Sequence, residues 1–279
     1  MGILYLVPTP LGNLEDITLR ALRILGEVSL IATEDTRTSG RLLKHFDISG
    51  ALLSYHEYSD ESRLARVLEA LREGDVALVS EAGTPLLSDP GYKLVQTAIE
   101  QGFDVVALPG PSAITMALAV SGLPTDRFLF VGFLPRKGND RRRVLAEQAA
   151  QTATLIFFES PHRLRAALQD MIDILGPERL IAICRELSKL HEEVWRGTLT
   201  EAVSEWSERD PRGEFTLVVA GAELAVSEWD EGQVEVALTS ALATGLSAKD
   251  ATRQVTNQSG WPKREVYALA QQLKESIDR

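Results

Sequence analysis

DVALVSEAGTPLLSDPGYKLVQTAIEQGFDVVALPG, residues 75–110, decides the fold. DVALVSE (75–81) is an apolar run of strand length with a polar tail. DPGYKLVQTAIEQG (89–102) predicts a helix with Asp89 at the N-cap, Pro90 in the first turn and Gly102 at the stop. DVVALPG (104–110) is apolar again. Strands apolar on both faces and joined through a helix form a parallel unit with its sheet covered on both sides.

The pattern repeats outward. Toward the N-terminus lie strands at ILYLV (3–7), VSLIATE (28–34) and ALLSYHEY (51–58). Helical patterns at LRALRIL (19–25), TSGRLLKHF (38–46) and ESRLARVLEALREG (61–74) separate them, the last placing Leu64, Val67, Leu68 and Leu71 on one face. The helix PSAITMALAVSG (111–122) follows the fifth strand. This predicts a first α/β lobe over 1–122 with a mostly parallel, doubly wound sheet. A second block restarts at FLFVGFL (128–134) and continues through strands TLIFFES (154–160), LIAICRE (180–186), EVWRGTL (193–199) and GEFTLVVAG (213–221), with helices between. It predicts a second α/β lobe over 123–222 with a mixed sheet. An acidic linker leads to 234–279, where helix patterns broken at GLSAKDA and SGWPKREV predict a small helix-turn-helix-like module or a plain helical cap.

In open α/β sheets ligands sit at the carboxyl ends of strands, so the residues after each strand are the candidates. SEAGTPLLSDPG is the richest. Gly83 permits positive φ or close backbone approach, Thr84-Pro85 fixes a turn, and Leu86 and Leu87 are apolar residues in a loop. It reads as an apolar slot for a flat ring or as a tight turn with its leucines packed on a neighbour. PGPSA (109–113) brings Ser112 to a helix start, as an anion site or a simple cap. Glu34-Asp35, Glu81 and Glu159 end strands, as general-base candidates or as caps and ion-pair partners. Arg136, Lys137, Arg141, Arg142 and Arg143, opposed by Asp140, give a local charge of +4, a phosphate-binding surface or a solvated loop. Arg37, Arg41, Lys44, Arg163, Arg185 and Lys189 would extend it if the lobes face each other.

Several chemistries lack their signatures. No GxGxxG opens a strand–helix unit, and no P-loop, HExxH or GxSxG occurs. The lone Cys184, inside LIAIC, rules out an intrachain disulfide and a multi-thiolate metal site, so no metal is expected. A net charge of −11 over 279 residues argues against a non-specific coat for nucleic acid. No apolar run approaches bilayer length and MGILYLV enters a strand without a basic leader, so no membrane and a cytoplasmic compartment are expected.

Taken in order, YLVPTPLGNLEDIT, ATEDTRTSGRLL, HEYSDESR, VALVSEAGTPLLSDPG, ALPGPSAITMALAVSGLP, FLFVGFLPRK, FFESPHRL and CRELSKLHEEVWRGTL closely resemble the small-subunit ribosomal RNA ribose 2′-O-methyltransferases of the tetrapyrrole methylase superfamily. The resemblance spans about residues 3–222 and extends to the helical tail. It implies two lobes with S-adenosylmethionine in the cleft between them, a homodimer, and methyl transfer to a cytidine ribose of 16S rRNA near the decoding site of the small ribosomal subunit. It matches Leu11, Gly83, Thr84, Leu87, Ser112 and Ala113 to cofactor contacts, with Leu86 beside them and Phe158 lining the adenosine pocket. It gives the phosphates to Arg136, Lys137 and Arg141–Arg143. Thr84 stands where tetrapyrrole members carry Asp, which favours RNA over a porphyrinoid. The competing readings are a small-molecule methylase of the same fold and a non-catalytic RNA-binding protein.

Overall fold

The computed structural model describes residues 2–56, 61–223 and 229–277, which divide into two compact units, Met1–Ala222 and Glu223–Arg279. The first unit opens with five strands, β1 Ile3–Val7, β2 Leu30–Thr33, β3 Leu52–Ser54, β4 Val76–Val79 and β5 Asp104–Ala107. They form one sheet in the order β3-β2-β4-β1-β5, every pairing parallel. The run expected as a strand over 51–58 pairs only through Ser54, and its last two residues lie outside the described ones.

The intervening helices are α1 Leu19–Glu27, α2 Thr36–His45, α3 Glu61–Glu73 and α4 Tyr92–Glu100. Strand side chains alternate between faces. Leu4, Ala32, Val76 and Leu78 meet α3 and α4 through Val67, Leu71, Leu94 and Ala98. Val7, Ile31, Ala77 and Val79 meet α1 and α2 through Ala21, Ile24, Leu25 and Leu43. The sheet is therefore doubly wound, and even the edge strand β5, whose end residues are exposed, turns Val105 to one face and Val106 to the other. The start of α4 departs from expectation. Gly91, with φ of 131°, takes the N-cap position, and Asp89 stays in the loop before it.

Helix α5, Ala113–Ser121, follows β5 in the chain but packs on the second sheet, placing Ile114, Ala117 and Leu118 against Ile156, Ala182, Cys184 and Val218. That sheet comprises β6 Phe128–Phe133, β7 Thr154–Glu159, β8 Leu180–Arg185, β9 Glu193–Thr198 and β10 Phe215–Val219, in the order β6-β7-β10-β8-β9. β6 runs parallel to β7 and the other pairings are antiparallel, so the sheet is mixed. Its opposite face carries α6 Gly138–Gln148, α7 Leu164–Leu175 and α8 Leu199–Glu208 over a core that includes Phe157, Met171 and Trp206.

The second unit holds α9 Glu231–Ala243, α10 Ala248–Ser259 and α11 Lys263–Ile277 around Val234, Leu238, Val255 and Val266. Asp230 and Gln233 make a capping box for α9, Ser247 caps α10, and Gly260 ends it at φ of 69°. The breaks read at GLSAKDA and SGWPKREV are thus helix boundaries.

Two ion pairs on one carboxylate tie α6 to α7. Arg141, 7% exposed, places its guanidinium 2.5 Å from Asp170, and Arg142 Nε donates to the other oxygen at 2.6 Å. Removing one partner of a buried pair leaves an uncompensated charge, at a cost of about 3–5 kcal/mol. Asp170→Ala is expected to destabilise the chain by about that amount, measured by urea unfolding.

Candidate active site in the cleft between the two sheets

Three strand-end loops are bound into one platform. Thr9 and Gly83 exchange backbone hydrogen bonds of 2.9 and 2.8 Å, tying the loop after β1 to that after β4. Ser80 Oγ donates to the Gly83 carbonyl at 2.8 Å, and Thr9 Oγ1 donates to the Ser80 carbonyl. Thr84 Oγ1 donates to the Pro111 carbonyl at 3.1 Å, adding the loop after β5. Gly83 holds φ of 78°, and a Cβ there would lie 3.1 Å from Leu11 Cδ2.

Over this platform lies a cavity of about 390 Å³ walled by both halves of the unit. Leu11, Leu87 and Ala113 come from the platform side, and Phe158, Glu159 and Thr216 from the second sheet. Leu11, Leu87, Ala113 and Phe158, expected at the cofactor, all line this one cavity. Gly83 and Thr84 lie beneath it as ties. Leu86 was expected on the cofactor beside Leu87, but its side chain packs into the first core near Leu78 and Gly91, while Leu87 is 42% exposed. Leu86 and Ser88 hold φ of 76° and 69°, which turns successive side chains in opposite directions. Ser112 stands at the N-cap of α5, yet its side chain makes no cap bond.

The carboxylates separate clearly. Asp35 caps α2 by accepting from the Arg37 amide, and the Arg37 guanidinium holds its pKa down to about 2. A carboxylate so stabilised is a poor proton acceptor at neutral pH. Glu159 is 2% exposed, with Oε1 accepting from the Ser160 amide and paired with Arg163, both at 2.8 Å. Burial raises its pKa against those partners, and Oε2 has no hydrogen-bond partner among the described residues. Burial also raises Glu81, and the Glu34 and Asp35 charges push the same way.

Asp89 escaped the sequence reading because DPG before a helical pattern looks like a cap. Burial raises its pKa to about 7, with Glu34 and Glu81 adding to the rise. It lines both the cleft cavity and a neighbouring one of about 490 Å³ bounded by Glu34, His56, Gly132 and Phe133. Its only sequence signal was a carboxylate in the same strand-end loop as Glu81.

The expected phosphate surface is smaller than its residue count. Arg141 is buried on Asp170, and Arg142 shares that carboxylate. Arg37 pairs with Asp35, Arg163 with Glu159, Arg185 with Glu193, and Lys189 with Glu186 and Glu214. Arg143 reaches Asp140 only at 3.6 Å. Among the described residues Arg136 and Lys137 enter no ion pair, and Arg136 borders a third cavity of about 730 Å³ with His162, Arg163 and Phe133.

Residues 3–203 match the family described as Tetrapyrrole (Corrin/Porphyrin) Methylases, and residues 229–274 match the RsmI C-terminal HTH domain. A protein of Halalkalibacterium halodurans named Ribosomal RNA small subunit methyltransferase I is 48% identical over 97% of this chain and 95% of its own. Its namesake in Synechocystis sp. is 45% identical over 98% and 99%. Among solved structures the methyltransferase CobJ superposes with a TM-score of 0.60 at 19% identity, covering 80% of this chain and 95% of its own. A Thermus thermophilus uroporphyrin-III C-methyltransferase complexed with S-adenosyl homocysteine gives 0.55 at 22%, covering 78% and 97%. With the family's pattern running through both lobes that wall the cleft, the chain belongs to the tetrapyrrole (corrin/porphyrin) methylases.

Proposed function

We propose that this chain methylates the ribose 2′-oxygen of a cytidine in 16S ribosomal RNA near the decoding site. The observation that carries the reading is the cleft cavity, where apolar walls from both sheets meet the carboxylate Asp89 at the edge of a second cavity. The full-length likeness to relatives named for the small-subunit RNA supports the acceptor class over a porphyrinoid. The cofactor is S-adenosylmethionine. The cavity suits it: Leu11, Leu87, Ala113 and Phe158 offer apolar surface to an adenosine, and the orphaned Oε2 of Glu159 would accept from a donor on the ligand. Bound there, it supplies an electrophilic methyl group.

A ribose hydroxyl must lose its proton as its oxygen reacts, and a base near the working pH does this best. Asp89 has that pKa and that position, so its carboxylate takes the proton. Asp35 is already committed to Arg37, and Glu34 and Glu81 act by raising Asp89. Arg136 and Lys137 hold phosphates at the open end of the cleft. The enzyme works as a homodimer in the cytoplasm, with exposed Tyr92 and Ile99 on α4 offering an apolar face to a second copy. No helix among the described residues is long and apolar enough to cross a membrane.

Small ribosomal subunits from cells lacking this enzyme should accept labelled methyl groups from the purified protein. A 2′-O-methyl blocks alkaline cleavage at its own phosphodiester, so the label should remain in an alkali-resistant dinucleotide. Label released in mononucleotides would place the methyl elsewhere. Gly83→Ala forces an L-residue to a positive φ beside Leu11, and should cost about 1–2 kcal/mol of stability and weaken S-adenosylmethionine binding in calorimetry.

Asp89 also sets the pH dependence. A base must be ionised, so kcat should rise with pH to a plateau above about 7. Asp89→Asn should lower kcat by about a hundredfold or more. Glu81→Gln removes a like charge and should move the rising limb to lower pH. Linkage gives an independent check. The folded value, about 7, exceeds the ordinary 3.8, so the native state binds this proton more tightly and stability falls as pH rises between them. Asp89→Asn should therefore melt higher than the unaltered protein at pH about 8 while losing activity.

A further inference from the structure

Strand β6 does not keep its register. Phe130 pairs with Ile156 and Gly132 with Phe157, leaving Val131 as an extra residue, and Gly132 sits at φ of 83°. A bulge with glycine in the left-handed region bends a strand and re-aims the next side chain. That side chain is Phe133, 53% exposed although it belongs to a sheet strand. A Cβ on Gly132 would lie 3.5 Å from Ser88 Oγ, so the bulge also brings β6 against the SEAGTPLLSDPG loop.

Phe133 is common to all three cavities of the cleft region: the one proposed for the cofactor, the one holding Asp89, and the one holding Arg136. Its ring is also braced. Phe158 meets it at 5.5 Å between centroids and 62° between planes. The Arg163 guanidinium lies 5.9 Å from the ring centroid. Arg163 is itself fixed by Glu159, by the Leu134 carbonyl at 2.9 Å and by Ser160 Oγ at 3.0 Å. A large aromatic surface held rigid and left in solvent costs hydrophobic free energy unless something covers it. Flat π-systems favour stacking on such a ring, and single-stranded nucleotides are recognised in this way.

We propose that Phe133 is the platform on which the base of the acceptor nucleotide stacks, a reading that rests on the RNA function proposed above. The placement accounts for both ends of the nucleotide. From Phe133 one cavity leads to Asp89, where the ribose hydroxyl would lose its proton. Another leads to Arg136, which enters no ion pair among the described residues and suits a phosphate. A base stacked between them sets the ribose toward the methyl donor and needs no base-specific hydrogen bond for its affinity.

The test compares Phe133→Ala, Phe133→Leu and Phe133→Trp in the full chain, with unmethylated small ribosomal subunits as acceptor. Loss of a base–aromatic stack should raise the KM for the subunits by about ten- to a hundredfold in Phe133→Ala. Phe133→Leu keeps apolar bulk without a π-face and should behave like Phe133→Ala, whereas Phe133→Trp should restore the KM to within about threefold. Because Phe133 also borders the cofactor cavity, S-adenosylmethionine affinity by calorimetry should fall by less than about threefold, while the melting temperature and the mass in solution by light scattering should stay near those of the unaltered protein. An unchanged subunit KM in Phe133→Ala overturns the platform. So does a loss of cofactor affinity as large as the loss of acceptor affinity, which would make Phe133 a cofactor wall. A change in solution mass overturns it too, by making Phe133 a contact between copies. If the unaltered protein methylates no ribosomal RNA, the RNA function fails and the platform falls with it. If it does and only the Phe133 variants behave normally, the platform alone falls.

Discussion

The backbone exchange between Thr9 and Gly83 is the constraint on which the cleft depends. Loops at strand ends carry polar backbone groups that must find partners when they are packed together. Here the partners are other loops, because Thr9 and Gly83 bond to each other and the side chains of Ser80, Thr9 and Thr84 take up neighbouring carbonyls. The tie needs glycine at position 83, where φ is positive and Leu11 leaves little room. Gly110 is as tightly placed, since a Cβ would lie 2.7 Å from Pro8. Three loops fixed in this way act as one rigid floor. On that floor the chain holds Leu86 and Ser88 in left-handed conformations that cost about 1–3 kcal/mol each elsewhere. The strain turns Leu86 inward and leaves Leu87 to face the cavity.

The second sheet supplies the opposite wall. Helix α5 leaves the floor at Ala113 and lies on that sheet, so the element that starts at the cavity also anchors the far side. At the other end Ser188 accepts from the Asn13 amide and bonds to Asp16. Two separate ties thus set the width of the cleft. Its charge is graded along its length. Glu34, Glu81 and Asp89 gather on the floor side, and Arg136 borders the further cavity that Phe133 also lines. Burial raises the pKa of both Asp89 and Glu81, and neighbouring carboxylates push the same way, because like charges close together cannot all remain ionised at low cost.

The alternation of apolar strands and amphipathic helices was legible because parallel strands buried on both faces leave no polar side to confuse the pattern. The walls Leu11, Leu87, Ala113 and Phe158 were legible through the ordered motifs. What could not be read was how each residue is turned. Leu86 and Leu87 are identical in sequence, and only the left-handed backbone at Leu86 separates core from cavity. Asp89 reads as a cap because a cap and a half-buried loop carboxyl share the string DPG, and Gly91 takes the helix start. Phe133 reads as one more apolar strand residue, and the one mark of the bulge in FLFVGFL is Gly132, which does not by itself say which side chain is re-aimed. Arg141 counted as a surface cation until Asp170, far along the chain, was seen to neutralise it.

That last point changes how RNA recognition must work. Binding driven by phosphate contacts gains from each counterion released, so its strength grows with the number of open cations. This cleft has few. Several of the arginines and lysines near it are tied to carboxylates, most of them in the second lobe, and the chain as a whole carries −11. The cations left open there include Arg136 and Lys137, which enter no ion pair among the described residues, and the loosely held Arg143. On the reading proposed for Phe133, affinity then comes largely from shape and from stacking at that ring, with charge serving to orient the backbone. An enzyme that modifies one nucleotide of a large folded RNA gains from this balance, because the weak electrostatic term gives every wrong sequence little to hold.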